Sequence, residues 1–197
     1  MKAVFGLGNP GPEHVLSRHN VGFQVVDLYR RVHAPRARGR LLGHSLVYRL
    51  EPLLLVKPLT YMNESGQAVA GVLERFRLDP ADALVVYDDL DLPLGSLRVL
   101  AAGGAGSHNG MRSVLSSLGT EGIPRLRIGI ASAADPTRGV ERVLGRFTPP
   151  EWETLSPILE TAVQVLEAYA ESDITTVMNR FNRRGSAIAA SGDPAIL

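Results

Sequence analysis

The chain opens on a short apolar run, Ala3 to Phe5, that is cut off by Gly6-Leu7-Gly8-Asn9-Pro10-Gly11-Pro12. The run reads as a buried strand. The glycines and prolines after it allow neither a longer strand nor an immediate helix. Arg18-His19-Asn20 then stands just ahead of an amphipathic run in which Val21, Val25, Leu28, Tyr29 and Val32 share one helical face. A polar turn therefore leaves a strand and sets a histidine beside a helix start. In open α/β sheets such strand ends are where sites form.

The glycines also satisfy G-x-G-x-x-G. That fingerprint should run directly into a helix whose N-terminus holds a pyrophosphate. Pro10, Gly11 and Pro12 interrupt the continuation, and no acidic residue falls clearly at the end of a second strand. Nucleotide binding is disfavoured. A plain tight turn with a surface His19 is the competing explanation.

Three further polar clusters each follow an apolar run: Tyr61-Met62-Asn63 after Leu53 to Lys57, Asp88-Asp89-Leu90-Asp91 after Ala83 to Tyr87, and His108-Asn109 after Leu97 to Ala101. If those runs share one sheet, the clusters meet at its edge. Ser45 to Arg49 and Leu53 to Lys57 read as a hairpin around Glu51-Pro52. Leu126 to Ala131 is another strand. Helical spacing marks Ala68 to Phe76, Met111 to Leu118, Trp152 to Tyr169 and Asp173 to Phe181. The segment from His33 to Leu42 is basic and aperiodic, hence a loop. These elements predict an α/β fold: a single domain, residues 1–182, with a mixed, partly parallel β-sheet flanked by helices. Residues 183–197 are expected to form a flexible tail.

The 197 residues suffice for one substantial domain, and 45% hydrophobic with 21% charged residues is ordinary for a globular chain. Cysteine is absent, which removes thiolate nucleophiles and Cys-ligated zinc and fits a reducing compartment. No signal peptide or bilayer-spanning run is read. With net charge +1, a nucleic-acid partner must use a local patch. Lys2 and Lys57 are the only lysines, so arginine carries nearly all the positive charge.

One histidine with one carboxylate makes a general-base pair, and neutral asparagine amides can orient water or hold an oxyanion. No G-x-S-x-G elbow exists to store a covalent acyl group. The set suits direct attack of water on an ester, although any single asparagine serves equally well as a cap or turn residue. The aspartates with His19 or His108 also compose a candidate hard-cation site, but no H-E-x-x-H or other tight ligand spacing supports it. Gly103 to Gly110 lacks the ending of a P-loop; its amides, with Arg98, Arg112, Arg125 and Arg127, are candidate partners for one phosphate.

GLGNPG with RHN, KPLTYMNESG, DDLDLPLG, GGAGSHNGMRS, RLRIGI and MNRFN, in that order from Met1 to about Asn182, closely resemble bacterial peptidyl-tRNA hydrolase. The resemblance implies a monomeric, cytoplasmic esterase that needs no metal or other cofactor, stays off membranes and frees tRNA from peptidyl-tRNA. It implies His19 as catalytic base, Asp88 as its orienting partner, and Asn9, Asn63 and Asn109 as asparagines that position water or substrate. Met62 matches an apolar wall of a peptide groove, with Tyr61 beside it. His108 falls in a gate region next to Asn109, and Arg127 matches a tRNA phosphate contact. His14 stands where the family usually has tyrosine, and Leu100 where a basic contact often lies, so that Arg98 is a candidate substitute. Ser107 replaces a common glycine, and Ala131 to Asp135 a common turn. A noncatalytic tRNA-binding module and a metal-dependent hydrolase remain the alternatives.

Overall fold

The computed structural model describes residues 1–131 and 139–182. The expected tail, and Ser132 to Asp135 of the altered turn, lie outside them. Seven strands form one mixed sheet: β1 (Lys2–Gly6), β2 (Arg40–Leu42), β3 (Ser45–Leu50), β4 (Leu53–Pro58), β5 (Ala83–Pro93), β6 (Leu97–Leu100) and β7 (Arg125–Ala131). Their spatial order is β2-β3-β4-β1-β5-β7-β6. The four central strands are parallel. The hairpin β3–β4, with β2 beyond it, is antiparallel on one edge, and β6 on the other.

Six α-helices cover the sheet: α1 (Val21–His33), α2 (Ser65–Phe76), α3 (Asn109–Leu118), α4 (Gly139–Leu144), α5 (Pro149–Glu171) and α6 (Ile174–Phe181). One face is closed by α1, α5 and α6 around Val4, Leu55, Val86, Leu126, Leu155 and Leu166. The other is closed by α2 and α3 around Phe5, Leu54, Val56, Val72, Met111 and Val114. Burial on both faces explains why β1, β4 and the first half of β5 are nearly continuous apolar runs.

Several elements depart from expectation. The basic segment after His33 ends in the edge strand β2. The six-residue α4, too short for a helical period to show, was not anticipated. Strand β5 does not stop at Tyr87: Asp88 and Asp89 pair on with Ile128 and Gly129 of β7 before the register shifts. Pro149 and Pro150 are the first two residues of α5, where missing amide hydrogens cost nothing. Val32 and Trp152 are exposed rather than on the buried stripe of their helices.

Two close approaches place the first turn. A Cβ on Gly22 would lie 2.4 Å from the Val86 carbonyl oxygen, and one on Gly6 2.2 Å from the Gly22 carbonyl oxygen. Only glycine lets the start of α1 rest on the ends of β1 and β5. The 3-10 turn Arg18–Asn20, which leads directly into α1, is thereby held over the carboxyl end of β5.

Candidate active site

Residues from four distant parts of the chain meet there. His19 Nδ1 lies 2.7 Å from Asp88 Oδ1. His108 Nε2 lies 3.0 Å from the same oxygen. The proton positions follow from one further bond. The Met111 amide donates to His108 Nδ1 over 3.0 Å, and a backbone N–H can only donate. His108 therefore carries its proton on Nε2 and gives it to Asp88. Asp88, an acceptor, likewise fixes the His19 proton on Nδ1. His19 is left with a bare Nε2, the one ring nitrogen of the pair with a lone pair to offer.

Burial works to raise the Asp88 carboxyl, yet the His108 and His19 rings outweigh it and hold the group well below its ordinary range. Asp88 stays ionised across neutral pH, as a partner for two N–H donors requires. The His108 ring lies between the rings of Tyr87 and His19, with centroids 4.7 and 4.9 Å away. Both of its nitrogens are spent, one capping α3 and one on Asp88. It offers substrate a ring face at most, which differs from a gate residue presenting a free polar tip.

Asn9 is fixed on three sides. Its amide donates to Asn20 Oδ1 (2.8 Å), its carbonyl accepts from Asn20 Nδ2 (2.9 Å), and its side-chain Oδ1 accepts from the Met62 amide (2.8 Å). With Oδ1 consumed, Asn9 presents its Nδ2 hydrogens, so its side chain is a donor rather than an acceptor. Asn20 was read only as a helix start; nothing in its spacing marks it as the residue that pins Asn9.

A cavity of about 400 Å³ opens over His19, Asp88 and His108, lined also by Tyr87, Arg127 and Val143 among others; Asn9 lines a neighbouring groove with Asn20 and Phe23. Asn109 reaches its rim, where its Oδ1 accepts from Arg112 (2.8 Å). Asn63 instead lines a shallow surface depression shared with Asn109. Met62 is buried beneath Gly110, and Tyr61 is exposed. His14 lies outside the cavity, 3.6 Å from Glu13. Arg127 lines the cavity with its Nε held by Asp89, whose hydrogen bond raises the guanidinium against the opposing effect of burial. Arg98 sits directly opposite Arg127 across the β6–β7 pair and is exposed.

Two phosphate partners considered from the sequence are corrected. Arg125 is 1% exposed and donates to the carbonyls of Gly104, Glu121 and Ile123 over 2.9–3.2 Å. It staples the glycine-rich loop instead of facing solvent. The first turn of α3 has an amide already capped by His108. The loop is thus a structural strap more than a phosphate cradle.

The ligating atoms of His19, Asp88 and His108 lie within 4.8 Å of one another, so a cation is geometrically conceivable there. The N···O separations of 2.7 and 3.0 Å match hydrogen bonds. They are shorter than the roughly 3.3 Å between ligands at tetrahedral zinc with bonds near 2 Å. The donor set fits a proton-linked triad better than a metal cage.

The chain is similar to known proteins over most of its length. The family model for peptidyl-tRNA hydrolase matches residues 3–189. A peptidyl-tRNA hydrolase from Synechococcus sp. (strain JA-2-3B'a(2-13)) is 44% identical over 193 residues, covering 92% of this chain and 83% of the relative. One from Chloroflexus aurantiacus is 42% identical over 187 residues, covering 92% and 99%. The crystal structure of peptidyl-tRNA hydrolase from Acinetobacter baumannii superposes with a TM-score of 0.82 at 29% identity, covering 93% of this chain and 95% of that one.

Proposed function

This chain belongs to the peptidyl-tRNA hydrolase family, and on that premise we propose how it hydrolyses the ester between peptide and tRNA: His19 acts as general base on water, oriented by Asp88. Neutral His19 takes a proton from water on Nε2 as the water oxygen attacks the ester carbonyl carbon. The side-chain Nδ2 of Asn9 donates to the developing oxyanion. Collapse breaks the bond to the ribose oxygen, which recovers the proton from imidazolium. The products are a peptide carboxylate and a tRNA with a free terminal hydroxyl.

The observation that carries this reading is the proton arithmetic at Asp88: one carboxylate oxygen, two N–H donors, and a single bare ring nitrogen left on His19. Asn9, with its acceptor already engaged, suits the oxyanion. Asn63 and Asn109, exposed nearby, suit water or the peptide backbone, with Met62 and Tyr61 flanking them. On the other side, Arg127 and Arg98 suit phosphates of the tRNA acceptor end. His14 is assigned no more than a peripheral contact. A monomer in the cytoplasm remains part of this proposal, as the family resemblance implies. We also read residues 1–182 as one domain followed by a tail.

Replacing His19 by alanine in a folded protein should lower turnover of peptidyl-tRNA by about 10²–10⁴. Near-wild-type turnover would reject the assignment. The cation reading, favoured only by the closeness of the three ligating atoms, is separated by assay after chelation, which should leave the rate unchanged.

A further inference from the structure

On the far edge of the sheet lies a second groove, of about 830 Å³, that shares no residue with the catalytic cavity. Its walls include Arg38, Arg40, Arg49 and Arg75, with Leu42, Val47 and Phe76 as an apolar floor. Strand register explains the grouping. Arg40 and Leu42 alternate with the outward Leu41 on β2, and Arg40 pairs with Val47, whose side chain packs toward α2. Arg49, two residues on along β3, shares that face. The last turn of α2 brings Arg75 and Phe76 against them.

The groove is electrostatically one-sided. Its lining contains no acidic residue. Arg49 pairs with Glu51; among the described residues, no ion pair is found for Arg38, Arg40 or Arg75. Residues 28–50 hold six of the chain's 21 Lys and Arg residues and none of its 20 Asp and Glu, leaving 15 basic against 20 acidic residues elsewhere. A nearly neutral chain thus holds a stretch rich in basic residues, of which Arg38 and Arg40 reach this groove beside Arg75, away from the catalytic centre.

We propose that this groove binds the phosphate backbone of RNA. Guanidinium forks match phosphate oxygens, and a half-buried phenyl ring among arginines offers a surface on which a base can stack. The 12 residues of α2 separate this edge from the Met62 turn by about 18 Å. The RNA engaged is therefore remote from the ester: it is the body of the substrate's own tRNA, an occupant that rests on the function proposed above. An acidic protein would find the charges but not a partner for the ring.

The test compares wild type with the Arg38→Gln, Arg40→Gln, Arg75→Gln variant, all three exposed positions. Fluorescence anisotropy is read with labelled uncharged tRNA, labelled oligouridylate and labelled polyglutamate across a KCl series. The variant should lose about tenfold or more in RNA affinity, with the slope of log K against log salt shallower by about two. Its kcat on peptidyl-tRNA should be unchanged, which keeps this proposal separate from the catalytic one. Loss with tRNA bears out the assignment to the substrate body; loss with oligouridylate alone would overturn it in favour of a separate RNA. Unchanged affinity and slope for both RNAs, or a loss confined to polyglutamate, would overturn the proposal.

Discussion

At the scale of single residues, charge on Asp88 does what shape alone cannot. Asp88→Asn keeps an oxygen in reach but replaces an acceptor with a group that is half donor, against two rings that both need to donate. Turnover should fall by about 10²–10⁴, measured with saturating peptidyl-tRNA; an unchanged rate would show that His19 needs no anionic partner. The same residue sets an acid limit on stability. Its folded-state pKa lies below the ordinary carboxylate value. Its contribution is complete above the unfolded value near 4 and is lost as pH falls through the folded value. Urea unfolding below about pH 4 should therefore show a steeper loss of stability in wild type than in Asp88→Asn. The neighbour of the base, Arg18, is 4% exposed and donates to Glu151 over 3.0 Å. Its own amide donates to the Gly145 carbonyl. Glu151 also accepts from the Thr148 amide and hydroxyl, closing the capping box of α5. Burial raises the Glu151 carboxyl, but the Thr148 and Arg18 bonds win and lower it. Glu151→Ala removes one partner of Arg18 and opens the capping box of α5, and should cost about 1 kcal/mol or more in chemical denaturation.

At the scale of elements, the site is a meeting of three helix starts and one strand end. The strand is β5, and Asp88 stands within its ladder. Polar residues ordinarily end a strand, so a reading from the sequence stopped at Tyr87; the functional aspartates sit inside the pairing because β7 continues beside them. The start of α1 depends on Gly22. Gly22→Ala would drive a methyl group to 2.4 Å from a backbone carbonyl that cannot yield cheaply. Overpacking of this kind costs about 1–3 kcal/mol. Because the 3-10 turn bearing His19 precedes that helix, the substitution should lower turnover beyond its effect on melting. Equal loss in both would mean that the helix start does not position the base. The start of α3 is capped by the His108 ring itself. His108→Ala should then cost about 1 kcal/mol as a lost cap and loosen Asp88, with a smaller fall in kcat than Asp88→Asn.

For the whole molecule, the sequence carried the architecture further than the details of the cleft. Apolar runs buried on both faces and glycine-proline turns suffice to expect a mixed sheet between helices. The polar residues at the ends of those runs suffice to expect that their clusters meet at the sheet edge; the pairing of His19 with Asp88 in particular is what the family resemblance implies. Three things were not legible. Asn20 looks like any residue before a helix, because a side chain that pins a distant loop leaves no periodic trace. Arg125 looks like Arg127 two positions away and shares its face of β7; what separates them is their partners, the carbonyls of Gly104, Glu121 and Ile123 for the first and Asp89 for the second. The assignment of His108 needs a backbone amide, that of Met111, whose direction only coordinates supply. The edge groove shows the same limit: its arginines come from β2, β3 and α2, and a basic stretch in the chain does not reveal that an apolar floor lies under it.

The most direct examination of the catalytic claim is the pH dependence of single-turnover peptide release from peptidyl-tRNA by wild type and by a folded His19→Ala variant. Wild type should lose activity along one acid limb, and the variant should show a low rate without that limb. An acid limb of the same position and depth in the variant would mean that another group accepts the proton from water.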